Sequence, residues 1–496
     1  MKKTKLFLLN ALIMTITSLL LSSVGVWFNL YISNKIGAAG MGIFQLMMSV
    51  YTMAVTLAAS GIHFATTRMI AEETLASGAG AKSAMRRCLL YSFIFGCVAA
   101  AALYFGAPSI GLRWLGTVET IRPLKAMAFS MPFIAFSCAL NGYFTAVRRV
   151  VKSAASQILE QSLRIVLTII GLNYFVPEGL EYACFAITCA GVIAEGLSCL
   201  FEFVLYLIDS RRYKSNGVIP EHLTRRLLNI ALPVAFSSYL RSGLSTIKNL
   251  LVPIRLQVGG LSSSDALSVF GVVHGIALPV ILFPYAFFTA FNSLIVPELA
   301  QYHSQNRNAN SLIQKMFSMT LCFSLGICGI LFCFSYEIGA AVSQNSEVGT
   351  YIRLLAPIIP IMYLDTAVDN MLKGINEQVS VMRYNIIDAL LSVAGVYLLL
   401  PVLGIKGYLF VICGSEVFNF WLSLNRLISV TKVHLNITEW VVKPLLCIAI
   451  AILSVEILFA LGSFAFPMLV QTAIMVSLSG VIYLLLIHLS GCIKLI

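Results

Sequence analysis

The sequence predicts an all-α polytopic membrane protein of about 14 transmembrane helices, built as two six-helix lobes related by a pseudo-two-fold axis, with a C-terminal helix pair. Three observations carry this prediction. Of 496 residues, 59% are hydrophobic and 11% charged, and the mean hydropathy of +0.91 lies far above that of soluble globular chains. Apolar runs long enough to cross a bilayer's hydrocarbon layer recur from end to end. Short motifs of the first half also return in the second half at matching helices.

The runs fall at 8–33, 41–71, 85–107, 121–146, 157–176, 183–208, 228–257, 267–297, 312–334, 350–372, 384–402, 408–428, 440–461 and 466–490. The first begins like a secretory signal, MKKTKLFLLNALIMTITSLLLSSVGVW. It continues through Ile32 without a small-residue cleavage site and is read as an uncleaved span. Basic residues gather in alternate loops: Lys2, Lys3 and Lys5; Lys82, Arg86 and Arg87; Arg148, Arg149 and Lys152; Arg211, Arg212, Lys214, Arg225 and Arg226; then Arg307, Lys373, Arg383, Arg426 and Lys432. The intervening loops are poor in Lys and Arg apart from Arg113, Arg122 and Lys125, so both termini are expected in the cytoplasm of a multi-pass plasma-membrane protein. This asymmetry accounts for the net charge of +12 and removes the case for a nucleic-acid partner. The longest polar loop, Asp209 to Arg226, is too short for a catalytic domain, and no His, Asp or Glu cluster marks an active site, so the chain is not expected to be an enzyme. The twelve cysteines form no CxxC pair and no Cys/His cluster, and no metal site or cofactor is expected.

Asn10 opens the first span and Asn229 the seventh. RMIAEE, with Glu72, closes the second, and LIVPEL, with Glu298, the eighth. ALNGY, ending at Tyr143, closes the fourth, and MLKGI, ending at Ile375, the tenth. Six spans separate each pair, so the copies share one orientation. The division that follows is 1–208 as the N-lobe of spans one to six, 209–226 as a cytoplasmic linker, 227–428 as the C-lobe of spans seven to twelve, and 429–496 as the terminal pair.

Within span seven, Arg241, Lys248 and Arg255 stand seven residues apart. Each heptad drifts only about 20° on an α-helix, so the three share a face. Charges inside a bilayer are expected only along a water-filled or protein-lined cavity, and this ladder points to an anionic ligand. The competing reading is snorkelling to an interface, which suits Arg255 better than the more central Arg241. Pro253 and Gly243 leave room for a bend in the same helix.

Arg68 and Arg164 lie near the inner ends of spans two and five. Glu160 stands four residues before Arg164, the spacing of a helical ion pair. Acids inside spans, Glu195, Glu202, Asp365, Asp369, Asp388 and Glu416, are candidates for carrying a coupling proton or sodium ion, or for neutralising the basic ladder. Glu195, Glu416 and Asp365 lie deepest. His63 and His274 are read as helix contacts or pH-sensitive groups. Pro279, Pro284, Pro357 and Pro360 mark bends. GAGAKS, Gly78 to Ser83, has Ala81 where a phosphate-binding loop needs glycine, and no strand precedes it.

The opening stretch Ser22 to Glu73 resembles the stage V sporulation protein B and oligosaccharide flippase group. The likeness is sharpest in G-A-x-G-x-G-x-F-Q, Gly37 to Gln45, and A-x-G-I-x-x-A-x-x-R, Ala59 to Arg68. That group belongs to the superfamily of lipid II flippases and MATE-like multidrug exporters. The resemblance implies a MATE-like fold and alternating access through a cationic central cavity. It also implies export of an undecaprenyl-pyrophosphate-linked saccharide, a peptidoglycan precursor or related polysaccharide unit, to the outer leaflet. Lipid II flippases carry arginines in the first helix. The similar stretch here, SSVGVWFN, has Ser23 and Asn29 instead, and Arg68 matches the family arginine near the end of the second helix. The residues expected to bind substrate are therefore Arg241, Lys248, Arg255, Arg68 and Asn29. Asn385 and Asp388 resemble loosely the sodium ligands of those flippases, and Na+, H+ or membrane potential is expected to drive transport. The lipid bilayer, the lipid-linked saccharide and cell-wall synthesis proteins are the expected partners of a monomer. Two other readings stay open: a MATE-type exporter of organic cations, and a non-transporting scaffold in cell-wall or spore-cortex assembly.

Overall fold

The computed structural model describes residues 2–76, 80–211, 223–286, 288, 296, 299, 300, 302, 305, 309–343, 345, 347–433, 438–462 and 467–491. Glu298, Arg307 and most of the expected linker, 212–222, lie outside the described residues. Among these residues the regular structure is entirely helical. The α-helices are α1 (Lys2–Ala59), α2 (Ile62–Ala76), α3 (Ala81–Ser109), α4 (Ile121–Ala128), α5 (Met131–Ala146), α6 (Val150–Phe175), α7 (Leu180–Ser210), α8 (Leu223–Val258) and α9 (Ser263–Val272). They continue with α10 (Leu278–Leu282), α11 (Asn310–Cys333), α12 (Ser335–Val342), α13 (Glu347–Leu355), α14 (Ile359–Gly374), α15 (Gln378–Thr431), α16 (Lys443–Leu461) and α17 (Met468–Leu489).

Ten of the described helical stretches are long and apolar enough to cross a membrane, and α4 with α5, bent by 41°, makes an eleventh. Two of them, Ile16–Thr74 and Gln378–Thr431, run to 59 and 54 residues, about 80 Å or more at 1.5 Å per residue against a hydrocarbon core of about 30 Å. Each is broken by a glycine at positive φ, Gly37 at 75° and Gly404 at 56°. No β-carbon penalises that conformation at glycine. Counting both as pairs and adding the 36-residue α8 accounts for the 14 spans among the described residues.

The chain packs as two compact units, Met1–Val24 with Ile43–Leu250, and Gly25–Gly42 with Leu251–Ile496. By packing, α8 up to Leu250 joins the first unit, whereas the sequence division places it in the 227–428 lobe. The reason is local bonding to α1. Tyr239 Oη donates to the Leu57 carbonyl (3.3 Å), Thr56 Oγ1 to Ser242 (3.2 Å), Thr246 Oγ1 to the Ser49 carbonyl (3.1 Å) and Asn249 Nδ2 to Ser49 Oγ (3.0 Å). The first unit's core includes Ile62, Met69, Met85, Tyr143 and Phe144. The second unit's includes Phe317, Leu364, Val368 and Met371.

The internal repeat is visible in the backbone. α5 and α14 are both 16 residues long, and each has proline in its first turn, Pro132 and Pro360. They end in the same turn. Val147, Arg148 and Arg149 bond back to Tyr143, Thr145 and Phe144, as Ile375, Asn376 and Glu377 do to Met371, Lys373 and Leu372. Arg148 and Asn376 both take the left-handed conformation. This pairs Val147 with Ile375, so the alignment of ALNGY with MLKGI is one helical turn out of register with the backbone. What those motifs share is close packing. A β-carbon on Gly142 would lie 2.8 Å from the His63 carbonyl oxygen, and one on Gly374 would lie 2.9 Å from Leu299 Cβ.

Each copy of the turn is fastened by ions of opposite polarity. Arg149 pairs with Asp209 near the end of α7, where Lys152 Nζ (3.1 Å) and Tyr143 Oη (3.0 Å) also bind that carboxylate. In the second unit Glu377 accepts from Arg426 at 2.6 and 3.0 Å. These bonds hold the Glu377 carboxyl below the ordinary carboxylate range, so this contribution persists at neutral pH and is lost as pH falls through the lowered value.

Gly142→Ala is expected to push α5 off α2, an overpacking that typically costs about 1–3 kcal/mol, and to lower the thermal unfolding midpoint in detergent. Gly191→Ala, with nothing within 4 Å of the new carbon, is the control and should leave the midpoint unchanged or raise it.

Candidate functional site

α8 carries two stripes. Tyr239, Ser242, Thr246 and Asn249 bond to α1, as described above. About 100° round the axis, one residue before each of these, Ser238, Arg241, Ser245 and Lys248 form a second, polar stripe. Arg241 and Ser245 are exposed, and Ser238 and Lys248 half-buried. No ion pair involves Arg241 or Lys248 among the described residues. Arg255, in the second unit, lies with its guanidinium 3.3 Å from the Tyr397 ring centroid. It is the one member of the ladder with an aromatic partner, which suits a cation–π contact.

Arg68 is engaged close to home. Its Nε bonds Glu72 at 2.9 Å, Glu72 also pairs with Arg226 at the start of α8, and Arg226 reaches Glu73 at 3.2 Å. The expected Arg164–Glu160 pair forms at 2.5 Å, and the same Nη2 reaches Glu195 Oε1 at 3.1 Å. Glu195 also accepts from Tyr51 Oη at 3.2 Å, and Tyr51 is 3.2 Å from Ser130 Oγ. The structure thus gives Glu195, an ion-coupling candidate, a cation of its own. Glu202, two turns further along α7, is 1% exposed, and neither of its oxygens has a partner among the described residues.

In the second unit the sequence candidates come together. Asp365 and Asp369 are buried one turn apart on α14. Asn419 Nδ2 donates to Asp365 at 2.9 Å, Ser423 Oγ to one oxygen of Asp369 at 2.9 Å, and Asn385 Nδ2 to the other at 3.0 Å. Asp369, Asp388 and Glu416 all lie near enough to act on Asp365 electrostatically, and Asp365 Oδ1 has no hydrogen-bond partner among the described residues. No group of three or more His, Cys, Asp or Glu adopts metal-ligating geometry among the described residues. The amides and the hydroxyl turn N–H and O–H groups toward the carboxylates, which leaves Asp365 Oδ1 as the oxygen open to a proton or a hard cation.

Of the other candidates, Asn29 is half-buried on the 25–42 segment of the second unit. His63 is exposed, and His274 lies 4.5 Å from the Phe270 ring in a π-turn. Tyr51, Asn419 and Ser423 were not foreseen. Their partners stand 54 or more positions away, beyond any helical spacing.

Repeated helical units, long and apolar enough to cross a membrane, define a multi-pass membrane protein of MATE-like fold. The chain belongs to the polysaccharide biosynthesis protein family, whose model matches residues 7–256, and the MatE model matches 233–398. It is similar to stage V sporulation protein B of Bacillus subtilis (strain 168), at 24% identity over 98% of this chain and 96% of that protein. Among solved structures it is similar to the lipid II flippase MurJ in an inward closed conformation, with a TM-score of 0.72 and 15% identity over 97% of this chain and 98% of that one. An inward-facing multidrug resistance MATE family transporter of the MOP superfamily gives a TM-score of 0.66 and 16% identity over 84% of this chain and 99% of that one.

Arg164→Met is expected to destabilise the first unit by about 3 kcal/mol or somewhat less, because it strands two carboxylates in a partly buried site. Arg164→Met with Glu195→Gln should cost less than the single change. Thermal unfolding of both purified variants checks this.

Proposed function

We propose that the protein exports an undecaprenyl-pyrophosphate-linked saccharide, a peptidoglycan precursor or related polysaccharide unit, from the inner to the outer leaflet by alternating access. The observation that carries this reading is the polar stripe on α8, where Arg241 and Lys248 stand without a carboxylate among the described residues. Arginine offers forked donors and lysine a point charge, the donor types that diphosphates take. The names of the relatives, a sporulation protein and a lipid II flippase, fit a lipid-linked cell-wall precursor as cargo. The family's description fits polysaccharide export.

In this reading Arg68 and Asn29 meet the headgroup as well, and Arg255 does so from beside Tyr397. The acids within the spans of the second unit, buried Asp365 and Asp369 and half-buried Asp388 and Glu416, couple transport to Na+ or H+, with membrane potential as a further driving force. Glu195 is tied to Arg164 and ranks behind them. The chain acts as a monomer in the bacterial cell membrane with both termini inside, next to cell-wall synthesis proteins. A MATE-type exporter of organic cations draws support from the match over 233–398, but a cationic stripe repels such cargo.

The test is transbilayer movement of a labelled undecaprenyl-pyrophosphate-saccharide in proteoliposomes. Arg241→Ala and Lys248→Ala should each abolish it while the folded protein remains abundant, and normal movement by Arg241→Ala would sink the assignment. A separate measurement imposes Na+ or proton gradients. Asp365→Asn should keep basal movement and lose the stimulation that a gradient gives the wild type.

A further inference from the structure

Away from the α8 stripe, the first unit holds a cleft of about 530 Å³ between α3 and α5, lined by Ser83, Arg86, Arg87, Leu89, Leu90, Phe93 and Phe136. Its lining changes character along α3. Ser83, Arg86 and Arg87 lie in the first two turns of that helix, and the remaining residues are apolar. At 1.5 Å per residue, the run from Ser83 to Phe93 covers about 15 Å, from the level of the basic loop into the depth of the hydrocarbon.

Both guanidiniums are exposed, and neither has an ion pair or hydrogen-bond partner among the described residues. Elsewhere in the loops marked as cytoplasmic by their charge, Arg149, Lys152, Arg226 and Arg426 are each bound to a carboxylate. A basic loop alone would set orientation and need no cleft beneath it. Here two adjacent arginines and a hydroxyl cap an apolar groove closed on its far side by Phe136 of α5.

We infer that this cleft binds an anionic glycerophospholipid of the inner leaflet, its phosphate on Arg86, Arg87 and Ser83 and an acyl chain along Leu90, Phe93 and Phe136. A hydrocarbon chain and an anion joined in one molecule complement the two parts of the cleft in order, and guanidinium forks suit phosphate oxygens. The assignment is independent of the transported substrate, because it uses none of the residues placed in that site.

The experiment is native mass spectrometry of the purified full-length chain in detergent, titrated with dioleoylphosphatidylglycerol or dioleoylphosphatidylcholine. The wild type should retain phosphatidylglycerol about tenfold more strongly. Arg86→Gln with Arg87→Gln should remove that preference, while Arg86→Lys with Arg87→Lys keeps part of it and Arg241→Gln keeps it whole. Equal retention of the two lipids by the wild type overturns the proposal without recourse to any variant. So does a preference that survives the double glutamine change or disappears with Arg241→Gln. Displacement of phosphatidylglycerol by millimolar inorganic phosphate would show that only the anion is recognised, and would overturn the lipid assignment.

Discussion

A charge inside hydrocarbon must be partnered or used, and the first unit answers that constraint in both ways. A charged side chain at the bilayer centre costs about 2.5–3.5 kcal/mol on insertion scales, and several charges of this unit are matched. Arg164 holds Glu160 and Glu195, Asp209 holds Arg149 and Lys152, and Glu72 and Glu73 share Arg226. These pairs tie α6 to α7, the α5–α6 turn to α7, and α2 to α8. Arg241 and Lys248 are left outside the matching, on the stripe of α8 that flanks its contact with α1. The paired acids thus serve to hold helices, buried Glu202 stands apart from them without a partner among the described residues, and the positive charge on α8 is available to something that is not protein.

The repeat shows which features the fold requires and which it leaves to function. α5 and α14 start, end and turn alike, atom for atom in the backbone. Yet the ion pairs that fasten the two turns have opposite sign. A turn is held equally well by either polarity, because Coulomb attraction depends on the product of the charges. The backbone register is therefore the inherited constraint. The interior shows a similar freedom, since the second unit gathers acids, amides and a hydroxyl where the first gathers ion pairs.

Much of this was legible in the sequence because it is written locally. The breaks at Gly37 and Gly404 fall in the gaps between expected spans, and the Glu160–Arg164 pair and the α8 ladder follow from helical spacing. The ladder's two fates do not. Nothing in RSGLSTIKNLLVPIR says that Tyr397 covers Arg255, or that the face carrying Thr246 and Asn249 binds α1. Likewise the ALNGY and MLKGI motifs record a glycine at a helix crossing, not the turn that follows, so aligning them misplaced the repeat by one helical turn. Contacts between distant residues, such as Tyr51 with Glu195, have no sequence period to betray them.

The spacing of the ladder also constrains how an anion would use it. Arg241 and Lys248 are separated by about 10 Å along the axis, and Lys248 and Arg255 by about 10 Å more. Arginine and lysine side chains are long enough to converge on one diphosphate from neighbouring rungs, but not from all three. In the proposed transport the headgroup would therefore pass from one neighbouring pair of cations to the next. Passage through a series of moderate sites is what permeation requires. Ser245 stands between the first two rungs and offers a neutral hydroxyl there. At the far end the Tyr397 ring covers one face of the Arg255 guanidinium and its Nε is buried without a hydrogen-bond partner among the described residues, so the last rung is the most enclosed of the three and the one whose desolvated cation gains most from an anion.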